Sequence, residues 1–161
     1  MSNAATNIGS AFLAKKSDLA RARQQLPVPS DVLIIDDNSF DADTLRAILH
    51  MLFGYEIRLR RAKTLGSALD SIIERKPELV FLDDILPPND TAIETIPFMR
   101  RCGYNGPIIV VSGEVTRQRR MELMAAGAGD VVHKDDLDSV RVTEALQLIH
   151  AATTTVATGA S

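Results

Sequence analysis

Three apolar runs, residues 32–35, 79–82 and 108–111, constrain this chain more than any other feature of its sequence. Each is too short for a helix, consists of aliphatic and aromatic residues and shows no alternation. That is the pattern of a strand buried on both faces of a parallel sheet. Each also stops on a polar side chain: Asp36 and Asp37 after the first, Asp83 after the second, Ser112 after the third. A fourth and briefer run, 130–133, is followed at once by Lys134.

Between the runs the period changes to that of amphipathic helices. Leu45, Ile48, Leu49 and Leu52 fall at i, i+3, i+4 and i+7, with Asn38 or Ser39 to cap the N-terminus, Asp41 and Asp43 suited to the positive end of the dipole, and Gly54 as a stop. Residues 55–60 alternate apolar and charged, as a half-exposed edge strand would, and Leu65, Ala68, Leu69, Ile72 and Ile73 give the next helical face. Pro97 within 91–102 predicts a kinked helix or a restart near Thr95. Thr116 is placed to cap a helix with Met121, Met124 and Ala125 facing the core, and Gly127 and Gly129 end it. Asp135 or Asp136 then caps a last helix in which Val142, Ala145, Leu146 and Ile149 share a face. Five strands alternating with five helices predict an α/β fold, a five-stranded doubly wound parallel sheet over residues 31–150. Residues 1–30 form an N-terminal extension in which Phe12, Leu19 and Leu26, ahead of Pro27 and Pro29, predict an additional peripheral helix; 151–161 is expected to be a disordered tail.

Bulk composition narrows the function classes. A chain of 161 residues, 45% hydrophobic, has the apolar content for one buried core and is too short for two. Its net charge of -3 gives no general pull toward nucleic acid, and the clusters Arg58, Arg60, Arg61 and Arg117, Arg119, Arg120 read as solvated faces. The single cysteine, Cys102, excludes an internal disulfide and reads as a small hydrophobe, while His50, His133 and His150 read as surface or packing residues. No CxxC or HxxxH spacing suggests a zinc site. With neither a secretory h-region nor an apolar stretch approaching about 18 residues, the expectation is a cytoplasmic protein with no membrane association.

Open α/β sheets bind ligands in the crevice at the carboxyl ends of their strands. One carboxylate at such an end is an ordinary strand-to-loop boundary, but here three or four carboxylates, one hydroxyl and one ammonium converge on a single edge. Carboxylates crowded within about 4 Å repel by roughly 4 kcal/mol per pair at an effective dielectric of about 20, so such a site calls for a cation. Magnesium suits hard oxygen ligands, and no imidazole or thiolate cluster favours zinc. One carboxylate is then free to act as a nucleophile toward phosphorus, with Lys134 and Ser112 holding the phosphoryl oxygens. The product is a labile aspartyl phosphate, which suits a reversible signal.

The segments LIIDDNS (33–39), LVFLDDILPP (79–88), IIVVSGE (108–114) and GAGDVVHK (127–134), in this order and spacing, resemble the receiver domain of two-component response regulators, the CheY-like superfamily, over residues 31–150. The resemblance implies a flavodoxin-like fold with Asp83 as phosphoacceptor. It further implies Mg2+ bound by Asp36, Asp37 and Asp83 with the backbone carbonyl of Ile85, Ser112 as the switch hydroxyl and Lys134 as the lysine common to the family. Asp84 competes for the acceptor role; Asp83 matches the family's spacing of acceptor, three residues, then proline, with Pro87 as that proline. The donor implied is a sensor histidine kinase or a histidine phosphotransfer protein. The chain would then be a phosphoacceptor that assists its own phosphorylation and dephosphorylation, and not an enzyme acting on external substrates.

Three departures from the family's pattern stand out. Val131 occupies the position of an aromatic side chain that usually reports phosphorylation, Thr91 replaces a glycine common after the acidic loop, and Asp135 follows Lys134 where many relatives have proline. None removes a catalytic group, so phosphoryl chemistry is expected with an unconventional output. Too few residues follow 150 for a DNA-binding or catalytic output domain, so the expected output is another protein, a further phosphorelay component or a copy of the chain itself. A haloacid-dehalogenase-like phosphatase would need a second acid two residues after its nucleophile, where Ile85 stands. The remaining alternative is a degenerate receiver acting as a phosphorylation-independent binding module.

Overall fold

The computed structural model describes residues 26–159, with Ala14 and Arg21 before them. The expected N-terminal helix lies outside the described residues. From Asp31 the elements are β1 (Asp31–Ile35), α1 (Ser39–Phe53), β2 (Arg58–Ala62), α2 (Leu65–Glu74) and β3 (Leu79–Asp83). A two-stranded antiparallel hairpin follows, β4 (Ile85–Leu86) and β5 (Asp90–Thr91), leading into α3 (Ala92–Arg101). Then come β6 (Ile108–Ser112), α4 (Arg117–Ala126), β7 (Asp130–His133), a 3-10 turn (Lys134–Asp136) and α5 (Ser139–Gly159). The five longer strands form one parallel sheet in the order β2-β1-β3-β6-β7.

Alternation along the strands divides the core between two faces. Val32, Ile34, Leu79, Phe81, Ile109 and Val111 pack with Leu45, Leu49 and Leu52 of α1 and Val142, Ala145 and Leu146 of α5. Leu33, Ile35, Val80, Leu82, Ile108 and Val110 pack with residues of α2, α3 and α4, among them Ile72, Ile96 and Leu123. Burial on both sides explains why no polar residue interrupts these strands between first and last positions: a fully buried aliphatic side chain contributes about 1.5–3 kcal/mol, and a charge in its place would cost more.

Helix ends follow local chemistry. Asn38 Oδ1 accepts the Asp41 N–H at 3.0 Å, and Thr116 Oγ1 accepts the Arg119 N–H at 3.0 Å. Gly127 ends α4 in the left-handed region at φ 118, which glycine adopts without strain. The last helix is capped by Asp138, whose Oδ1 accepts the Arg141 N–H at 2.8 Å, and not by Asp135 or Asp136, which belong to the 3-10 turn.

Three further expectations are corrected and one is narrowed. The edge strand begins at Arg58, and Tyr55 is exposed; pairing with β1 selects 58–62, and the Arg60 guanidinium is drawn back to Asp31 at 2.9 Å. α3 is one continuous helix across Pro97, which removes the restart near Thr95 and leaves the first of the two alternatives. On α4 the buried residue is Leu123, while Met121 is 63% exposed, because Arg119 and Arg120 are drawn inward to Asp84 and Asp130 and set the rotation of the helix. α5 continues to Gly159, through most of the stretch expected to be a tail: no proline interrupts it, and each residue added to a started helix gains a backbone hydrogen bond.

Candidate functional site

In the order β2-β1-β3-β6-β7 the chain leaves β1 toward one edge and returns to place β3 on its other side. The strand order therefore reverses between β1 and β3, and the crevice outside their carboxyl ends is the natural ligand site. Ile35 pairs with Leu82 there, so the next residues, Asp36 and Asp83, emerge side by side. Oxygens of Asp36, Asp37 and Asp83 lie within 4.8 Å of one another. Asp36 and Asp83 are buried and Asp37 is exposed.

The electrostatics are those of a site short of positive charge. Burial pushes the Asp36 carboxyl up to about 6; the Asn38 N–H, 2.8 Å from Oδ1, opposes this and the neighbouring Asp83 adds to it. Burial likewise raises Asp83, and Lys134 offsets that only in part. Lys134 Nζ stands 3.3 Å from Asp83 Oδ1 and 3.0 Å from Asp41 Oδ2. Burial works against the ammonium, but the hydrogen bond to Asp41 and the charges of Asp83 and Asp36 outweigh it and hold Lys134 above its ordinary value. One ammonium thus faces three carboxylates, Asp36, Asp41 and Asp83. This all-oxygen donor set, whose buried members resist ionising together, fits a hard divalent cation.

Asp41 is a site residue that sequence reasoning placed only at a helix N-terminus; its pairing with Lys134, 93 residues away, left no local signal. The hairpin β4–β5 carries Ile85 with its side chain outward, and the Ile85 N–H is among the groups that lower Asp83. Thr91 precedes α3 without capping it through its side chain.

Ser112 lies at the same edge but does not bond Asp83. Asp83 pairs with Val111, so Ser112 adjoins Asp84 one residue on. Its Oγ donates toward Asp84 Oδ2 at 3.0 Å or the Glu114 carbonyl at 2.9 Å, and it accepts the Glu114 N–H at 3.2 Å. Asp84 in turn is gripped by Arg119, Nη2 to Oδ1 at 2.5 Å and Nε to Oδ2 at 3.1 Å. Arg119 is therefore not part of a solvated face. Asp83, Ser112, Arg119 and Lys134 all line one open cleft of ≈ 670 Å³.

Val131 sits in the core, 1% exposed, and its carbonyl on the outer edge of β7 accepts from Arg120 Nη1 at 3.1 Å and Arg141 Nη2 at 2.9 Å. The same two arginines bind the fully buried Asp130, each at 2.8 Å. An edge that would otherwise offer free backbone groups is thereby covered.

A doubly wound sheet with clustered carboxylates and a lysine at its switch point is the architecture of a receiver-type α/β domain. The model of the response regulator receiver domain family matches residues 32–147, and the chain belongs to that family, which operates in two-component signal transduction. It is 33% identical over 118 residues to the chemotaxis protein CheY of Thermotoga maritima, a match covering 73% of this chain and 95% of that one. It is 31% identical over 107 residues to the response regulator MprA of a Mycobacterium species, covering 66% of this chain and 45% of the regulator, so it spans under half of that relative's length. Among solved structures, the receiver domain of NtrX from Brucella abortus superimposes with a TM-score of 0.60 at 27% identity, over 77% of this chain and 96% of that one. A longer NtrX structure gives a TM-score of 0.70 at 22% identity over 83% of this chain and 29% of that one, a likeness of fold.

Proposed function

We propose that this receiver accepts a phosphoryl group on Asp83 from the phosphohistidine of a sensor histidine kinase or histidine phosphotransfer protein, in the cytoplasm, and signals through protein–protein contacts. The observation that carries this reading is the convergence of Asp36, Asp37, Asp83 and Lys134 at the switch point. In the transfer, a carboxylate oxygen of Asp83 forms a bond to phosphorus as the P–N bond of the donor breaks. The electron pair returns to the imidazole nitrogen, which takes up a proton. Lys134 follows the charge from the carboxylate to the phosphoryl oxygens. Asp36, Asp37 and Asp83, with the Ile85 carbonyl, would hold Mg2+, which when bound supplies charge neutralisation to the phosphoryl group and the acidic cluster.

Incubation with acetyl phosphate and magnesium, read by intact mass because the chain has no tryptophan, tests this. One phosphoryl group is expected on the unmutated protein, none on Asp83→Asn, and one still forms on Asp84→Asn. Failure of the unmutated protein to take the group from acetyl phosphate or from any histidine-phosphorylated donor would replace this reading with that of a phosphorylation-independent binding module.

A further inference from the structure

Asp84 poses a problem that the proposed chemistry does not solve. It is not the proposed acceptor and is 5% exposed, yet burying a carboxylate costs several kcal/mol unless partners compensate. Its partners are specific. Arg119 grips both oxygens side-on through Nε and Nη2, and Oδ2 also receives Ser112 Oγ at 3.0 Å. A hydroxyl has one proton. The Glu114 carbonyl also lies within reach of it, at 2.9 Å, but a carboxylate is the stronger acceptor, so the proton goes to Asp84. Arg119 is itself anchored, its backbone N–H donating to Thr116 Oγ1 in the first turn of α4.

We propose that Asp84 and Arg119 are positioning residues that hold the Ser112 hydroxyl away from the phosphoryl site until Asp83 is phosphorylated. The proposal rests on phosphorylation at Asp83. For Ser112 to donate to a phosphoryl oxygen on Asp83, its proton must leave Asp84 Oδ2. Asp84 then keeps Arg119 alone, and the loss is felt in the first turn of α4. This links the acceptor's state to α4 through polar contacts in a chain whose position 131 carries a fully buried valine and no aromatic ring.

The test is the initial rate of phosphorylation by acetyl phosphate with magnesium, read by intact mass. The double variant Asp84→Ala/Arg119→Ala removes both charges together, so neither is left unpaired in the site. It should be phosphorylated about tenfold faster than the unmutated protein, since about 1.4 kcal/mol, one charge-assisted hydrogen bond, no longer opposes the exchange. Adding Ser112→Ala should abolish the gain, giving the rate of Ser112→Ala alone. A double variant no faster than the parent overturns the proposal, as does a gain that persists without the Ser112 hydroxyl. A second readout needs neither metal nor donor nor the double variant: in Ser112→Ala the NMR resonance of the Arg119 Nε–H should move, because both groups share Asp84 Oδ2, and an unmoved resonance overturns the proposal. Absence of any phosphorylation of the unmutated protein overturns the proposed function and this inference together. Phosphorylation with no effect of the double variant overturns this inference alone.

Discussion

Replacing Asp36 with Asn should make the metal-free protein more stable while removing a carboxylate that the proposed magnesium site uses. Asp36 is 5% exposed, and burial, with Asp83 beside it, pushes its carboxyl up from 3.8 to about 6. In the unfolded chain it returns to about 3.9. Between those values the folded state holds the proton more tightly than the unfolded state, so stability falls as pH rises from about 4 to about 6 and the loss is complete above that. At about 1.36 kcal/mol per pKa unit the penalty near neutral pH is about 3 kcal/mol; the Asn amide N–H2 must find hydrogen-bond partners where the carboxyl had its own, at about 1 kcal/mol, leaving about 2 kcal/mol for the substitution to recover. The Asn amide oxygen can still accept the Asn38 N–H, so the cap of α1 is kept. In a domain of this size about 2 kcal/mol corresponds to a melting temperature higher by about 4–8 °C. Thermal melts followed by far-UV circular dichroism in EDTA should show that difference at about pH 7.5 and its disappearance near about pH 4. Magnesium should raise the melting temperature of the parent, by about 2.7 kcal/mol of stability at a hundredfold excess over its dissociation constant, and leave Asp36→Asn unmoved. An Asp36→Asn protein that melts at or below the parent in EDTA near neutral pH would refute the claim that the acidic cluster is a strained site awaiting a cation.

Two further outcomes follow from the β7 edge. Burial works to raise the Asp130 carboxyl, but hydrogen bonds from Arg141, the Val131 N–H and Arg120 outweigh it and hold it below the ordinary carboxylate range. Its contribution to stability is therefore present above the ordinary carboxylate pKa and lost as pH falls through the lower folded value. Asp130→Ala should cost about 3 kcal/mol in denaturant unfolding, the low end of about 3–5 for breaking a buried pair, because Arg120 and Arg141 are partly exposed and can rehydrate; a midpoint within error of the parent would show that the clamp is not structural. Val131→Tyr should lower stability by about 1–3 kcal/mol, because the site is packed and 1% exposed. An unchanged melting temperature would mean that the core has room for an aromatic ring after all.

The sheet, its flanking helices and the convergence of Asp36, Asp83 and Lys134 were legible because they depend on period and on where strands stop. Those properties are read along the chain, and the buried runs keep them free of ambiguity. Contacts between distant elements were not legible. Nothing near Asp41 announces Lys134, and the cluster Arg117, Arg119, Arg120 looks like a solvated face until Asp84 and Asp130 are found beneath two of its members. The same blindness misplaced Met121 and Met124: helical periodicity finds an apolar stripe, but two inward ion pairs turned α4 so that only Leu123 of its residues is buried.

Ser112 shows how much one residue of register decides. Strand-end placement puts Ser112 and Asp83 on the same edge, and by that criterion they belong to one site. The β3–β6 register pairs Asp83 with Val111, which carries Ser112 past the proposed acceptor and sets it beside Asp84. An apolar residue at 84 would leave the hydroxyl with only the Glu114 carbonyl to bond. With a carboxylate there, the hydroxyl gains a charged partner, and that carboxylate can be buried only because Arg119 reaches it from α4. The pair that makes burial of Asp84 tolerable is thus also the pair that determines which hydrogen bond a phosphoryl group on Asp83 would have to break.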